Sequence, residues 1–215
     1  MKKLIIGMYM ALMGAAPIMG QTAKDCFKSM PDSLMPLLTQ VNRADFIDFL
    51  ESEMRAEVTN RFNRKSEMTR LTNDYIRIQM TERSSWQMKV LPLNDSVRVV
   101  CTVATVQGPV ADSDVQFYNT DWKTLSNDAF LHKPCTKDFV TMPDSLQDNR
   151  VHPALAKLDM CLVSAELSDT SDTLTLTFTT PRYLDAETAE IVKPYIRPIR
   201  KYVWRDGRYQ PVTSL

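Results

Sequence analysis

The sequence predicts an α+β protein, with helices packed on antiparallel β-meander sheets. Three observations carry that expectation. Apolar residues recur at helical spacing between Asn42 and Asn60. From Leu71 the period changes to two, in short runs separated by polar turns, which suits hairpin-connected strands. The order of helix, then strands, then tryptophan recurs in shorter form in the second half. This raises the option of a tandem repeat of helix plus four-stranded sheet, with units 21–128 and 129–215 that can also form one compact domain.

The first twenty residues read as a secretory signal peptide. Lys2 and Lys3 form a basic head, Leu4 to Met19 carries no charge, and Gly20 precedes the polar run QTAKD. That stretch is too short and wrongly flanked for a lasting membrane span, so cleavage is expected near Gly20. A lipid anchor on Cys26 fits poorly, because Lys24 and Asp25 replace the small residues of a lipobox.

The pentapeptide MPDSL occurs twice, at Met30–Leu34 and Met142–Leu146. Each copy reads as a helix entrance. Ser29 or Thr141 supplies the cap, Pro31 or Pro143 tolerates the missing amide, and Asp32 or Asp144 closes a capping box. Tandem duplication, convergent reuse of a good helix start and a ligand motif all remain open readings. Asn42-Arg43-Ala44-Asp45 opens a further helix, with Phe46, Phe49, Leu50, Met54 and Val58 along one face to about Asn60.

Four strands follow. Ile76, Ile78 and Met80 alternate with Arg77 and Gln79; Trp86, Met88 and Val90 alternate with Gln87 and Lys89. Val97, Val99, Cys101 and Val103 share a third face, and Val115 and Phe117 mark a fourth strand running toward Trp122. In the second half a helix is expected near Pro153–Lys157, then strands at Met160–Leu167 and Thr173–Thr179. A short helix at 185–192 precedes strands at 196–205 and 208–212, joined by the hairpin signal Asp206-Gly207. Trp204 then stands about where Trp122 stands in the first half.

Composition excludes several function classes. Without Lys2 and Lys3, the 26 basic residues fall two short of the 26 acidic ones, a balance that offers nucleic acid or an anionic membrane no net attraction. No later apolar run reaches membrane-spanning length, so the processed chain is expected to be soluble. Three of the 5 glycines lie in the leader, leaving Gly108 and Gly207. Phosphate-cradling loops, dinucleotide fingerprints and the G-x-S-x-G elbow all need more.

The stretch MPDSLMPLLTQVNRADFIDFLESEM, downstream of a signal peptide, resembles a family of exported proteins of unknown function from Bacteroides-like bacteria. The resemblance spans the chain and is most specific in this stretch. It implies a Gram-negative envelope or secreted location, and it carries over no catalytic residue.

Few constellations suggest chemistry. His132 and His152 lack the companion ligands that a metal site needs, and no cofactor is implied. Cys135 with His152 is a thin case for a thiol nucleophile and base. An exported compartment permits disulfides among Cys26, Cys101, Cys135 and Cys161; Cys26 with Cys135 is the preferred pair, because each precedes an MPDSL copy. Asp112-Ser113-Asp114 and Asp169-Thr170-Ser171-Asp172 read as acidic turns.

The C-terminal YIRPIRKYVWRDGRY combines aromatic and cationic side chains, and Arg200, Tyr202, Trp204, Arg205 and Tyr209 form the candidate binding surface. The plainer reading of the same residues is an amphipathic strand pair with aromatics inward and cations in water. The functional expectation is an exported non-enzymatic binding or interaction module working on envelope protein or glycan. The alternative is an envelope hydrolase whose carboxylates meet only in the fold.

Overall fold

A computed structural model of the protein describes residues 21–141 and 149–212. The expected leader and the second MPDSL copy, Met142–Leu146, lie outside the described residues. The chain begins with helix α1 (Ala23–Ser29) and helix α2 (Gln40–Glu51). Six strands follow: β1 (Glu57–Thr59), β2 (Lys65–Leu71), β3 (Tyr75–Thr81), β4 (Ser84–Pro92), β5 (Arg98–Gln107) and β6 (Ala111–Asn119). After a connecting segment come helix α3 (Val151–Ala156), strands β7 (Val163–Leu167) and β8 (Thr173–Phe178), helix α4 (Ala186–Val192), and strands β9 (Ile199–Arg205) and β10 (Arg208–Pro211).

The strands form two antiparallel meanders, a six-stranded sheet in the order β1 to β6 and a four-stranded sheet in the order β10-β9-β8-β7. The α+β class and the meander order are therefore as the sequence indicated. The first sheet is larger than the four strands expected, because Val58, Ser66 and Met68 add β1 and β2 at its edge.

The helix boundaries differ, and the reason is capping chemistry. Thr22 with Asp25 and Thr39 with Asn42 form the actual capping boxes. Ser29 ends α1 instead of opening a helix; its hydroxyl donates to the Cys26 carbonyl at 3.0 Å. Asn42 is the third residue of α2, not its cap. The first MPDSL copy contributes a 3-10 turn at Asp32–Leu34, and Asp32 pairs with Arg43 and Arg61, both at 3.0 Å. Arg43 is fully buried, also donating to the carbonyls of Leu38 and Met30. Asp32 thus serves as counter-ion to a buried arginine, a role no helix-start reading contains.

Three layers result. On one face of the six-stranded sheet, Cys26 and Phe27 of α1 and Phe46 and Ile47 of α2 pack on Met68, Ile76, Ile78, Met88 and Val100. The opposite face, with Tyr75, Leu91, Val99, Cys101, Val103 and Phe117, packs on Leu174, Leu176, Phe178 and Tyr202 of the second sheet. Helices α3 and α4 pack together and add Val151, Leu155 and Val192 to that second core. Trp122 adopts φ 62°, which disfavours a bulky residue. Its indole N–H, donating to the Cys26 carbonyl at 2.9 Å, ties α1 to the end of β6.

Candidate functional site

The C-terminal aromatics face the core and not solvent. Tyr202, Trp204 and Tyr209 are all buried, and Trp204 stacks with Phe117 and Phe130 while meeting Tyr209 edge-on at 5.0 Å. The Trp204 indole N–H donates to the Pro92 carbonyl at 2.6 Å. Arg200 and Arg205 stay exposed, with Arg200 Nε donating to the Asp138 carbonyl. The aromatic half of the expected surface is therefore structural, since alternate residues of β9 and β10 turn inward on the second core. Burial holds the Tyr209 hydroxyl well above its ordinary pKa, and its oxygen has no hydrogen-bond partner among the described residues.

All four cysteines are free thiols. Cys26 is buried in the helical layer and Cys135 is exposed beyond the other face of the sheet, beside the segment that carries Cys161. Pairing Cys26 with Cys135 would need thiols from opposite sides of a sheet to meet, which disulfide geometry forbids. Burial raises the Cys26 thiol to about 11 and pushes Cys101 higher still, so both are poor nucleophiles. His132 and His152 are exposed, and no hydrogen bond joins His152 to Cys135 among the described residues. No cluster of three His, Cys, Asp or Glu side chains converges among them either.

The notable chemistry lies between the sheets. β7 is an edge strand crossing β4, β5 and β6 of the other sheet. Its outward amides are met by side chains, not by another strand. Asp112 accepts from Val163 N at 3.0 Å, Ser113 from Ala165 N at 2.9 Å, and Gln87 from Leu167 N at 2.9 Å. Gln87 also accepts from the Tyr75 hydroxyl and donates to Glu166. Beside it the buried Lys89 ammonium meets Asp74 at 2.9 Å and Asp172 at 3.6 Å, and donates to the Ser168 carbonyl. Arg77 pairs with Glu166, and Arg70 with Asp169. Burial of the Tyr75 hydroxyl raises it to about 12, which keeps it a neutral donor.

Where β6 and β7 diverge, the seam opens into a cleft of about 400 Å³. Asp112, Asp114, Asp128 and Lys133 stand at its walls; Phe117, Leu131, Val163 and Leu176 contribute apolar surface. Asn127 builds one wall by imitating a strand along the free edge of β6. Its amide donates to the Val115 carbonyl at 3.0 Å and accepts from Phe117 N at 3.2 Å, which fixes Asp128 beside it. Asp112-Ser113-Asp114 is thus strand, not turn; the reverse turn closes before Ala111. The three carboxylates are solvent-exposed. That exposure suits them to receiving a cation.

The sequence pointed away from this cleft. The signal that could have found it is Asp112, Asp114 and Gln116 alternating with Ser113, Val115 and Phe117, a period-two pattern hidden by the turn-like DSD.

The fold and cleft define a class, an α+β protein of two stacked antiparallel meanders with an acidic opening between them. The chain belongs to the family described as "Protein of unknown function (DUF3256)", whose model matches residues 15–209. Among solved structures, it is similar to a domain of an uncharacterized protein from Porphyromonas gingivalis W83. That match has 30% identity and a TM-score of 0.79, covering 91% of this chain and 99% of the other. No curated protein matches.

Proposed function

We propose that the protein is an exported, non-enzymatic binding module whose inter-sheet cleft receives a cationic, partly apolar segment of an envelope protein. The observation that carries this reading is the cleft's composition, exposed Asp112, Asp114 and Asp128 around an apolar floor. Carboxylates at a rim give a cation electrostatic guidance, and the floor rewards an adjoining apolar side chain with desolvation. The basic leader and uncharged run of residues 1–20 support export.

The test is calorimetric titration of the chain, lacking residues 1–20, with short peptides alternating lysine and leucine. Binding that weakens with salt and is lost in Asp114→Asn/Asp128→Asn supports the cleft. Equal binding by that double variant removes it as the site. N-terminal sequencing of the chain recovered from the envelope fraction tests export separately; an intact Met1 there would contradict it.

A further inference from the structure

A second surface lies at one end of the six-stranded sheet. There the β1–β2 and β3–β4 loops stand side by side. The first is built from beneath by Asn60, which is 3% exposed. Its side-chain oxygen accepts from Phe62 N at 3.0 Å and Arg64 N at 3.1 Å, and its amide donates to Ser66 Oγ at 3.0 Å. Asn63 takes the left-handed φ of 55° that closes the turn. This well-braced loop holds Phe62 in solvent at 74% exposure.

Cations share this end of the sheet. Arg64 and Lys65 share a shallow depression with Arg83 of the neighbouring loop, where Glu82 is the acidic residue. Lys65 pairs with Glu57 at 2.9 Å and Arg61 with Asp32 at 3.0 Å. Arg64 and Arg83 have no ion pair among the described residues, and Arg64 shares its loop with the exposed Phe62. Val106 adds exposed apolar surface beside the second loop, opposite Ser84 across the ladder.

We propose that this tip docks on an anionic phospholipid surface, with Phe62 entering the interface and Arg64 and Arg83 binding lipid phosphodiesters. Arg64, Lys65 and Arg83 outnumber Glu82 around the depression, a local charge excess complementary to lipid phosphodiesters. A guanidinium matches phosphate oxygens bidentately. An aromatic anchor combined with free cations is what reversible interfacial binding requires. The chain's balanced net charge conceals this local excess.

The experiment is co-sedimentation of the chain without residues 1–20 with phosphatidylcholine vesicles, with and without phosphatidylglycerol. Binding is expected only with phosphatidylglycerol, and falling as salt rises. Arg64→Gln and Arg83→Gln should each weaken it about fivefold, and Phe62→Ala should weaken it while the circular dichroism spectrum stays unchanged. No binding to phosphatidylglycerol vesicles overturns the proposal, as does undiminished binding by the Phe62→Ala/Arg64→Gln/Arg83→Gln variant. Self-association that depends on Phe62, without vesicle binding, would assign the tip to a protein contact and also overturn it.

Discussion

Trp204 and Tyr209 show how one residue pattern supports opposite roles. The aromatic and cationic residues of the last hairpin are those of a recognition surface, yet the pleat of β9 and β10 divides them, rings to the core and Arg205 to water. Trp204→Ala is therefore expected to lower stability by about 3–5 kcal/mol, as large aromatic truncations in cores do. Arg205→Ala should stay within about 0.5 kcal/mol of the parent. Tyr209→Phe removes a buried hydroxyl that has no hydrogen-bond partner among the described residues and should be neutral or stabilising by about 1 kcal/mol. Urea unfolding of the three variants checks the ranking; a Trp204→Ala chain of parental stability would contradict the packing. The Arg43–Asp32 pair was beyond sequence reading for a different reason. It needs a helix residue and a turn residue to meet, and Arg43 looked like one more cation on a polar helix face.

At the scale of elements, the period-two strands were largely legible, β3 to β6 and β7 to β10 lying close to their expected positions. Terminal signals were less so, because Ser29-x-x-Asp32 and Thr22-x-x-Asp25 both satisfy the capping pattern, and only one lies where the chain has room to coil. Asp185 was read correctly as the start of α4, and its carboxylate accepts from Thr188 N at 2.9 Å. Hydrogen bonds from the Thr188 amide and hydroxyl, with Lys157 adding to them, lower its pKa from 3.8 to about 2. Because the folded value lies below the unfolded one, this cap stabilises α4 fully above about pH 4 and is lost as pH falls through about 2. The Thr188 amide resonance should titrate with a midpoint near 2, and Asp185→Asn should abolish that titration while keeping the helix. A midpoint near 4 would show that the cap does not form.

For the whole molecule, the decisive residues are the ones the pattern misassigned. Gln87 and Lys89 alternate with Trp86, Met88 and Val90, so they read as a solvent face; the second sheet covers that face and buries both. No local period reveals a second layer. Gln87→Leu keeps the volume but leaves the Leu167 amide and Tyr75 hydroxyl unpaired, at an expected loss of about 1–3 kcal/mol. It also bares part of the β7 edge, so light scattering on mild heating should rise with the fall in urea midpoint. A variant with parental midpoint and no added scattering would show that the edge does not depend on Gln87. The same side-chain caps impose an order in time. The six-stranded meander joins neighbours in sequence and can close by itself as the chain emerges, whereas β7 finds its acceptors 51 to 80 residues upstream, on a surface that must already exist. The second meander is thus a client of the first, and a chain interrupted after β6 would retain a folded platform, while one lacking β1–β6 would leave β7 with no lid for its amides.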